Sequence, residues 1–462
     1  MNKSENQTYN FYRVHTVRRE FNSDGFRSIQ RAFHWLMIFI LIIFLAAGCS
    51  SGSNDDPTLS PKQRIPDGTK PCEHPEYWPF SLVSETYPFM VHYRTANEEA
   101  MAREVVLYLE AAWEVEVDEW GYEAPPSDEG LCGPDGAFDV FIWEGHRACW
   151  VNIVSEDIVT PWGGRASFML LDPWGPYGGD ILGQTIAHEF NHATQAANDW
   201  HEIAISFEMT SVYIEQFFGP ACSYCIEDFQ SRPDWSLLWD DDYSTWYMYG
   251  SALYFHFIRD RYFESSEGFL PDLWFKVRNH PDLLVNSPNL VDGLNTILAP
   301  LGESFMDSVV EFARWRYYTG PRDDGRHFHH LPTEWSQLPF LPESGVNVNS
   351  LQAISGSYPI EPAPMVLGSV YLEIKQTDAS QKSFELSLVE PLDQAVDWIV
   401  QVVPGITKDS DGNFVDLKGG SARIPFGPDG TRTLIITSLP QAPFDPDAQT
   451  GNRCTLTVQL AR

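Results

Sequence analysis

Residues 188 to 192 read His-Glu-Phe-Asn-His. On a helix, positions i and i+4 share one face, so His188 and His192 can reach one metal ion together. Imidazole nitrogen suits Zn²⁺, and a catalytic zinc takes three protein ligands and leaves one position for water. Glu189 is their neighbour on that helix, placed to hold the water rather than the metal. The metal lowers the water's pKa towards 7, and Glu189 takes its proton during attack on a carbonyl. The blander alternative is two solvated histidines on an ordinary helix. The surrounding text favours a buried one. Ile181, Leu182, Ile186, Phe190, Ala193 and Ala197 supply apolar contacts, and Gly178-Gly179-Asp180 supplies a loop with a capping Asp.

A third ligand has to come from downstream. Glu208 stands in Ser206-Phe-Glu-Met-Thr-Ser-Val-Tyr-Ile-Glu215, a second helical stretch. An antiparallel helix folding back after a loop at 198–202 would bring Glu208 to the metal. Glu215 lies two turns further on, on nearly the same face. It is the alternative ligand, or else an acceptor that orients a ligand histidine. Glu202 sits in the turn and is the weaker choice. His201 does not fit the spacing HExxHxxGxxH, because Gln195 holds the Gly position and Asn198 the last His position. An oxyanion formed during attack also needs a donor, usually Tyr or His beyond the third ligand. Tyr243, Tyr247, Tyr249 and His256 are the candidates, and each also reads as a core aromatic.

The elements that must position these groups are legible in outline. Apolar spacing from Asn97 to Trp120 predicts one long helix. Further helices are expected at Ile181–Ala197, Ile203–Phe218 and Tyr247–Tyr262, and near 269–278 and 303–318. Phe138–Ile142 and Ser167–Leu171 read as short strands. Beyond about residue 340 the period changes to two, in Val370/Leu372/Ile374, Phe384/Leu386/Leu388, Trp398/Val400/Val402, Leu434/Ile436 and Leu456/Val458/Leu460. That predicts an all-β sandwich of about seven strands.

His188-Glu189-x-x-His192, a short loop and the helix carrying Glu208 together resemble the gluzincin metallopeptidases. Thr185-Ile-Ala-His-Glu-Phe-Asn-His-Ala-Thr-Gln195 is similar to a secreted bacterial subgroup with HEFxHxxQ followed by WxxEGxA. That subgroup's Trp is here Phe207 or shifted, and Met209-Thr210-Ser211 follow the Glu in place of Gly-x-Ala. A weaker likeness runs from His92-Tyr93 through Gly121–Pro125 and Phe138–Phe141 to about Tyr318, and stops short of the β region. The resemblance implies Glu208 as the third zinc ligand and a zincin-like peptidase fold.

Composition bounds the rest. A chain of 462 residues allows two to four domains at about 100–200 residues each. A net charge of −34 argues against nucleic acid, whose binding needs basic side chains to neutralise phosphates. Residues 36–47, LMIFILIIFLAA, would rise about 18 Å as a helix, short of a bilayer core of about 30 Å. They follow Arg27 and Arg31 and end at Ala46-Ala47-Gly48-Cys49, which resembles a lipoprotein export signal with lipidation at Cys49. Ser50 favours the outer membrane by bacterial sorting habits.

Six cysteines remain, an even number that suggests disulfides and permits fifteen pairings. Cys132 with Cys149 is the favoured pair, Cys222 with Cys225 a local one, and Cys454 a buried thiol. Asp409-Ser-Asp411-Gly-Asn413-Phe-Val-Asp416 alternates oxygen donors around a Gly, as a Ca²⁺ loop does, though a polar hairpin is the plainer reading. His327, His329 and His330 read as surface residues.

The expected protein is therefore α+β: a signal peptide at 1–48, a tether at 49–70, a mainly helical zincin-like peptidase domain at 71–340 and a β-sandwich domain at 341–462. Its expected function is zinc-dependent hydrolysis of protein or peptide substrates at the cell envelope, with a lipid at Cys49 holding the membrane. The rival expectations are a non-catalytic envelope lipoprotein binding glycan or protein, and a zinc hydrolase of a non-peptide amide. Glu189 favours an enzyme, since a binder has no use for the base.

Overall fold

A computed structural model describes residues 69–462, apart from 144–145, 147–148, 158–159, 175–180, 220–221, 265, 280–285, 329–344, 390–394, 407–411, 418, 450 and 462. The leader, Cys49, most of the tether, Asp180, His329, His330, Asp409, Asp411 and the boundary at 340/341 lie outside the described residues.

Five strands form the first sheet: β1 (Phe80–Val83), β2 (Phe89–Tyr93), β3 (Phe138–Ile142), β4 (Trp150–Ile153) and β5 (Ser167–Leu171). Their order is β1-β2-β3-β5-β4. β2, β3 and β5 run parallel, and β1 and β4 close the edges antiparallel. The three central strands are buried at every position and are mostly apolar; of their polar residues, His92 and Asp139 pair with each other at 2.6 Å. Alternate residues serve opposite faces. Phe138, Val140 and Ile142 join the main core, while Phe141, Phe168 and Leu170 pack with Trp78 and Cys132 on the other side.

Helix α1 (Glu99–Trp113) covers the main-core face and runs into a π turn at Glu114–Glu119. The sequence predicted one regular helix to residue 120. The π turn instead brings Glu116 inward, fully buried, where its Oε2 accepts a 3.0 Å hydrogen bond from Asn191.

Helix α2 (Leu182–Asn198) packs beside α1 in the same core. The last carbonyls of a helix lack partners within it. Here Arg165 N bonds Ala196 O at 2.8 Å and the Trp162 indole bonds Ala197 O at 2.8 Å. The segment comes so close that a Cβ on Gly164 would lie 2.0 Å from Ala197 O.

The remaining helices are α3 (Ala204–Glu215), α4 (Ser223–Ser231), α5 (Tyr247–Gly250), α6 (Leu253–Tyr262), α7 (Phe269–Lys276), α8 (Leu290–Leu298) and α9 (Phe305–Tyr317). The predicted helix at Tyr247–Tyr262 is interrupted between α5 and α6. Gly250 there lies against α4, with room for no Cβ beside Cys225 O.

The C-terminal part is β-rich, as its period-two text predicts. β6 (Asn349–Gln352), β8 (Ser369–Lys375), β10 (Val396–Val403), β11 (Asn413–Phe414) and β13 (Thr431–Pro440) form one sheet, in the order β11-β10-β13-β8-β6. β7 (Gly356–Pro359), β9 (Ser383–Val389), β12 (Ala422–Pro425) and β14 (Thr457–Ala461) form another, in the order β12-β9-β14-β7. Val370, Leu372, Val402 and Leu434 of the first meet Phe384, Leu386, Ile424 and Val458 of the second in one core.

Residues Ile65–Arg462 form a single compact unit. Tyr371 Oη bonds Ala313 O at 2.7 Å, and Gln401 Nε2 bonds Val310 O at 2.8 Å, so α9 lies directly on the first β-rich sheet. Residues 233–234 bond the backbone of Met365 and Ser369 in strand-like fashion.

Two disulfides join Cys72 to Cys132 and Cys222 to Cys225, and Cys149 and Cys454 are free. The local Cys222–Cys225 pair and the buried Cys454 agree with the sequence reading. The expected Cys132–Cys149 pair does not form. Cys132 belongs to the core on one face of the first sheet and Cys149 packs against the core on the other.

Candidate metal centre

Helix α2 carries His188, Glu189 and His192, and α3 folds back after the loop at 199–203 to carry Glu208 and Glu215. The ligand atoms of His188, His192 and Glu208 all lie within 4.8 Å of one another. The two Nε2 atoms are 3.0 Å apart. Glu208 Oε2 is 3.1 Å from Nε2 of His188 and 3.7 Å from Nε2 of His192. All three residues are nearly enclosed by protein.

The outer ring nitrogens are held in place. Glu215 Oε1 lies 2.8 Å from His188 Nδ1, which is the orienting role that the sequence offered for this residue. Gln195 Oε1 lies 2.8 Å from His192 Nδ1. The Gln195 amide group is fixed in turn by Asn191 Oδ1 at 2.6 Å and Thr210 Oγ1 at 2.6 Å. Gln195 is the part of the constellation the sequence reading left without a role. Its place three residues after His192, one turn along the same face, was the available signal. Asn191 links this network to the buried Glu116 of the π turn.

Burial and mutual contact set the protonation of these groups. Burial opposes charge on His188, but hydrogen bonds to Glu208 and Glu215 hold its pKa well above the ordinary value. Burial would raise Glu208 as well, yet His188 and His192 bring it below the usual carboxylate value. Burial lowers His192 to about 4. Glu189 is pushed up to about 8, by burial first and then by Glu208 and Glu215. Glu189 Oε2 is buried and takes no hydrogen bond, and Glu208 Oε2 faces the Nε2 atoms of His188 and His192. Two imidazole nitrogens and a buried carboxylate oxygen facing one point make a donor set that fits a zinc ion.

The centre opens into a cleft of about 510 Å³. Cys149, Trp150 and Val151 form one wall, Trp200, Glu202 and Phe207 another, and Tyr243 and Tyr249 stand at the mouth. The Tyr249 ring stacks 6.2 Å from that of His188, and Tyr249 hydrogen-bonds Glu208. Tyr243 is exposed. Tyr247, expected as a donor here, is fully buried elsewhere and bonds Ser236 O at 2.8 Å. It is a core residue, because it starts a short helix whose inner face meets Phe229 and Trp235. His256 is likewise buried away from the cleft, 4.7 Å from the Tyr213 ring.

No protein-family model matches the chain, and no curated protein matches it. Among solved structures, it is similar to the pre-peptidase C-terminal domain of a collagenase from Bacillus anthracis. The likeness covers 25% of this chain and 95% of that domain, at 9% identity and a TM-score of 0.16. At that score it carries no statement about this chain.

Proposed function

We propose that the protein is a zinc-dependent endopeptidase with a zincin-like catalytic domain, tethered at the bacterial cell envelope through a lipid on Cys49. The observation that carries this reading is the convergence of His188, His192 and Glu208 beside the buried, unpartnered carboxylate of Glu189. A zinc ion held by those three residues supplies Lewis acidity to a water and to the substrate carbonyl.

The chain's own residues do the rest. Glu215 and Gln195 take the outer N–H groups of the two imidazoles and leave both Nε2 lone pairs facing the centre. Glu189 is the catalytic residue: its carboxylate accepts the proton of the attacking water and passes it to the leaving amine. Tyr249 and Tyr243 line the cleft, and theirs are the hydroxyls we assign to donate to the developing oxyanion.

One feature favours peptide over a smaller amide. β4 is an edge strand, and its Trp150 and Val151 line the cleft. An edge strand offers backbone donors and acceptors to an extended chain.

The full-length protein, solubilised in detergent, should hold about one zinc, and His188→Ala with His192→Ala should lose it. Glu189→Gln keeps size and polarity but cannot take the proton. It should keep zinc and cleave an unfolded protein substrate about 10²-fold or more slowly, in line with general-base contributions. Full zinc content in the double variant, or wild-type cleavage by Glu189→Gln, would refute the proposal.

A further inference from the structure

The π turn at the end of α1 puts an acid where the core offers it little. Glu116 is 0% exposed. Its Oε1 takes no hydrogen bond, and its Oε2 takes one, from Asn191 Nδ2 at 3.0 Å. Among the described residues no Lys or Arg pairs with it. A buried carboxyl is costly unless it is paired and hydrogen-bonded. π turns are rare, and they gather at functional sites. Neither an ion pair nor a full set of hydrogen bonds accounts for an acid here, but the direction it gives to Asn191 does.

An Asn side chain has one donating and one accepting end. With Nδ2 held by Glu116, Asn191 Oδ1 faces the other way. There it accepts from Gln195 Nε2 at 2.6 Å and from Ser211 Oγ at 3.0 Å. Ser211 Oγ in turn accepts from Gln195 Nε2 at 3.1 Å and lies 3.1 Å from His192 Nδ1. The Ser211 hydrogen therefore has two acceptors within reach, Asn191 Oδ1 and His192 Nδ1. The Gln195 amide has anchors of its own, Phe207 O at 3.2 Å and Thr210 Oγ1 at 2.6 Å. Ser211 is the member whose hydrogen depends on Asn191.

That hydrogen decides the tautomer of His192. Engaged by Asn191, it leaves Nδ1 to donate to Gln195 Oε1 at 2.8 Å. Nε2 then carries the lone pair and faces His188 and Glu208. If Asn191 turned over, its NH₂ group would face Ser211, and the hydrogen would go to Nδ1. The ring proton would then sit on Nε2, which has no lone pair left for a metal.

We propose that Glu116 is a positioning residue for His192. It fixes the Asn191 amide, so that Ser211 donates away from His192 and Nε2 stays free to bind metal. The role does not depend on the charge of Glu116. Burial holds its pKa well above the usual carboxylate value, and an acid with its hydrogen on Oε1 still accepts at Oε2. This inference rests on the zinc reading of His188, His192 and Glu208.

The test is a competition titration of full-length protein in detergent, zinc against a chelator of known affinity. Glu116→Leu fills similar space without an acceptor and should weaken zinc about tenfold or more, as loss of an outer partner does. Glu116→Gln keeps an acceptor oxygen and should stay near wild type. Ser211→Ala added to Glu116→Leu removes the misdirected hydrogen and should recover most of the affinity, which a packing defect would not. Asn191→Leu removes the Ser211 acceptor directly. It should weaken zinc in the same way and be rescued by Ser211→Ala, so the test survives if Glu116→Leu does not fold. Wild-type affinity in folded Glu116→Leu, or no recovery with Ser211→Ala, overturns the proposal while leaving the zinc site standing. Zinc retained by His188→Ala with His192→Ala would instead remove the zinc reading and this inference together.

Discussion

At the residue scale the centre depends on groups that never touch the metal. Glu215 anchors His188 through Nδ1, and Gln195 anchors His192. Loss of such an anchor costs about 10–100-fold in metal affinity. Glu215→Ala should weaken zinc binding by that much in a competition titration against a chelator of known affinity. Glu215→Gln keeps an acceptor oxygen and should recover most of the loss. Equal affinity in all three proteins would mean that Glu215 is only packed there.

His188, Glu189 and His192 were legible because helical spacing alone places them together. Glu208 was legible because a short turn leaves α3 little choice but to return along α2. Tyr247 was misplaced because Tyr247-Met-Tyr249 offers two hydroxyls, and only tertiary packing decides which one points at the cleft. Gln195 carried no titratable group to mark it, and its role appears only once Asn191, Thr210 and Ser211 surround its amide.

At the element scale, strands with alternation were readable, and of the three strands buried at every position β3 and β5 were readable and β2 was not. β9 and β14 follow the period-two text because one face is core and the other is less buried, whereas β8, β10 and β13 also bury their second face, with Tyr371, Val403 and Ile435 packed against Ala313 of α9. β2 was overlooked, and so was β4, whose four partly exposed residues make a faint signal.

The disulfide error has a similar cause: nearness in sequence says nothing about which face of a sheet a sulfur occupies. The Cys72–Cys132 bond spans 60 residues and ties the segment before β1 to the loop before β3. In the chain-entropy account a loop of that size stabilises by about 4 kcal/mol. A Cys72→Ser/Cys132→Ser variant should unfold at clearly lower denaturant, followed by tryptophan fluorescence. An unchanged midpoint would show that the cross-link does not restrict the unfolded chain.

At the scale of the whole molecule, the helical and β-rich parts are bound more closely than a sequence boundary near residue 340 suggests. The seam includes Ala313, Val346, Tyr371, Val403 and Ile435 as a shared apolar cluster. It also includes the buried bonds of Tyr371 and Gln401 to the backbone of α9. An Arg453–Asp234 ion pair at 2.6 Å spans the same seam. Removing the chain from residue 345 onwards would strand those groups in water and unpair the backbone at 233–234. The truncated protein should be insoluble or fail to hold zinc, and the intact protein should melt in one calorimetric transition. A soluble, zinc-binding truncation, or two separated transitions in the intact chain, would show that the parts fold independently. The sequence could not report this coupling, because the period change at residue 340 marks a change of secondary structure and not a break in the core.

One wall of the cleft carries a consequence for endurance. Conditions oxidising enough to close Cys72–Cys132 and Cys222–Cys225 also threaten the thiol of Cys149, where a bulky adduct would plug the cleft. Thiols are attacked and oxidised through the thiolate. Burial, with the charge of Glu189 behind it, pushes the Cys149 pKa far up, so almost none of it is thiolate at neutral pH. The thiol is thereby a slow reactant towards oxidants that reach the cleft.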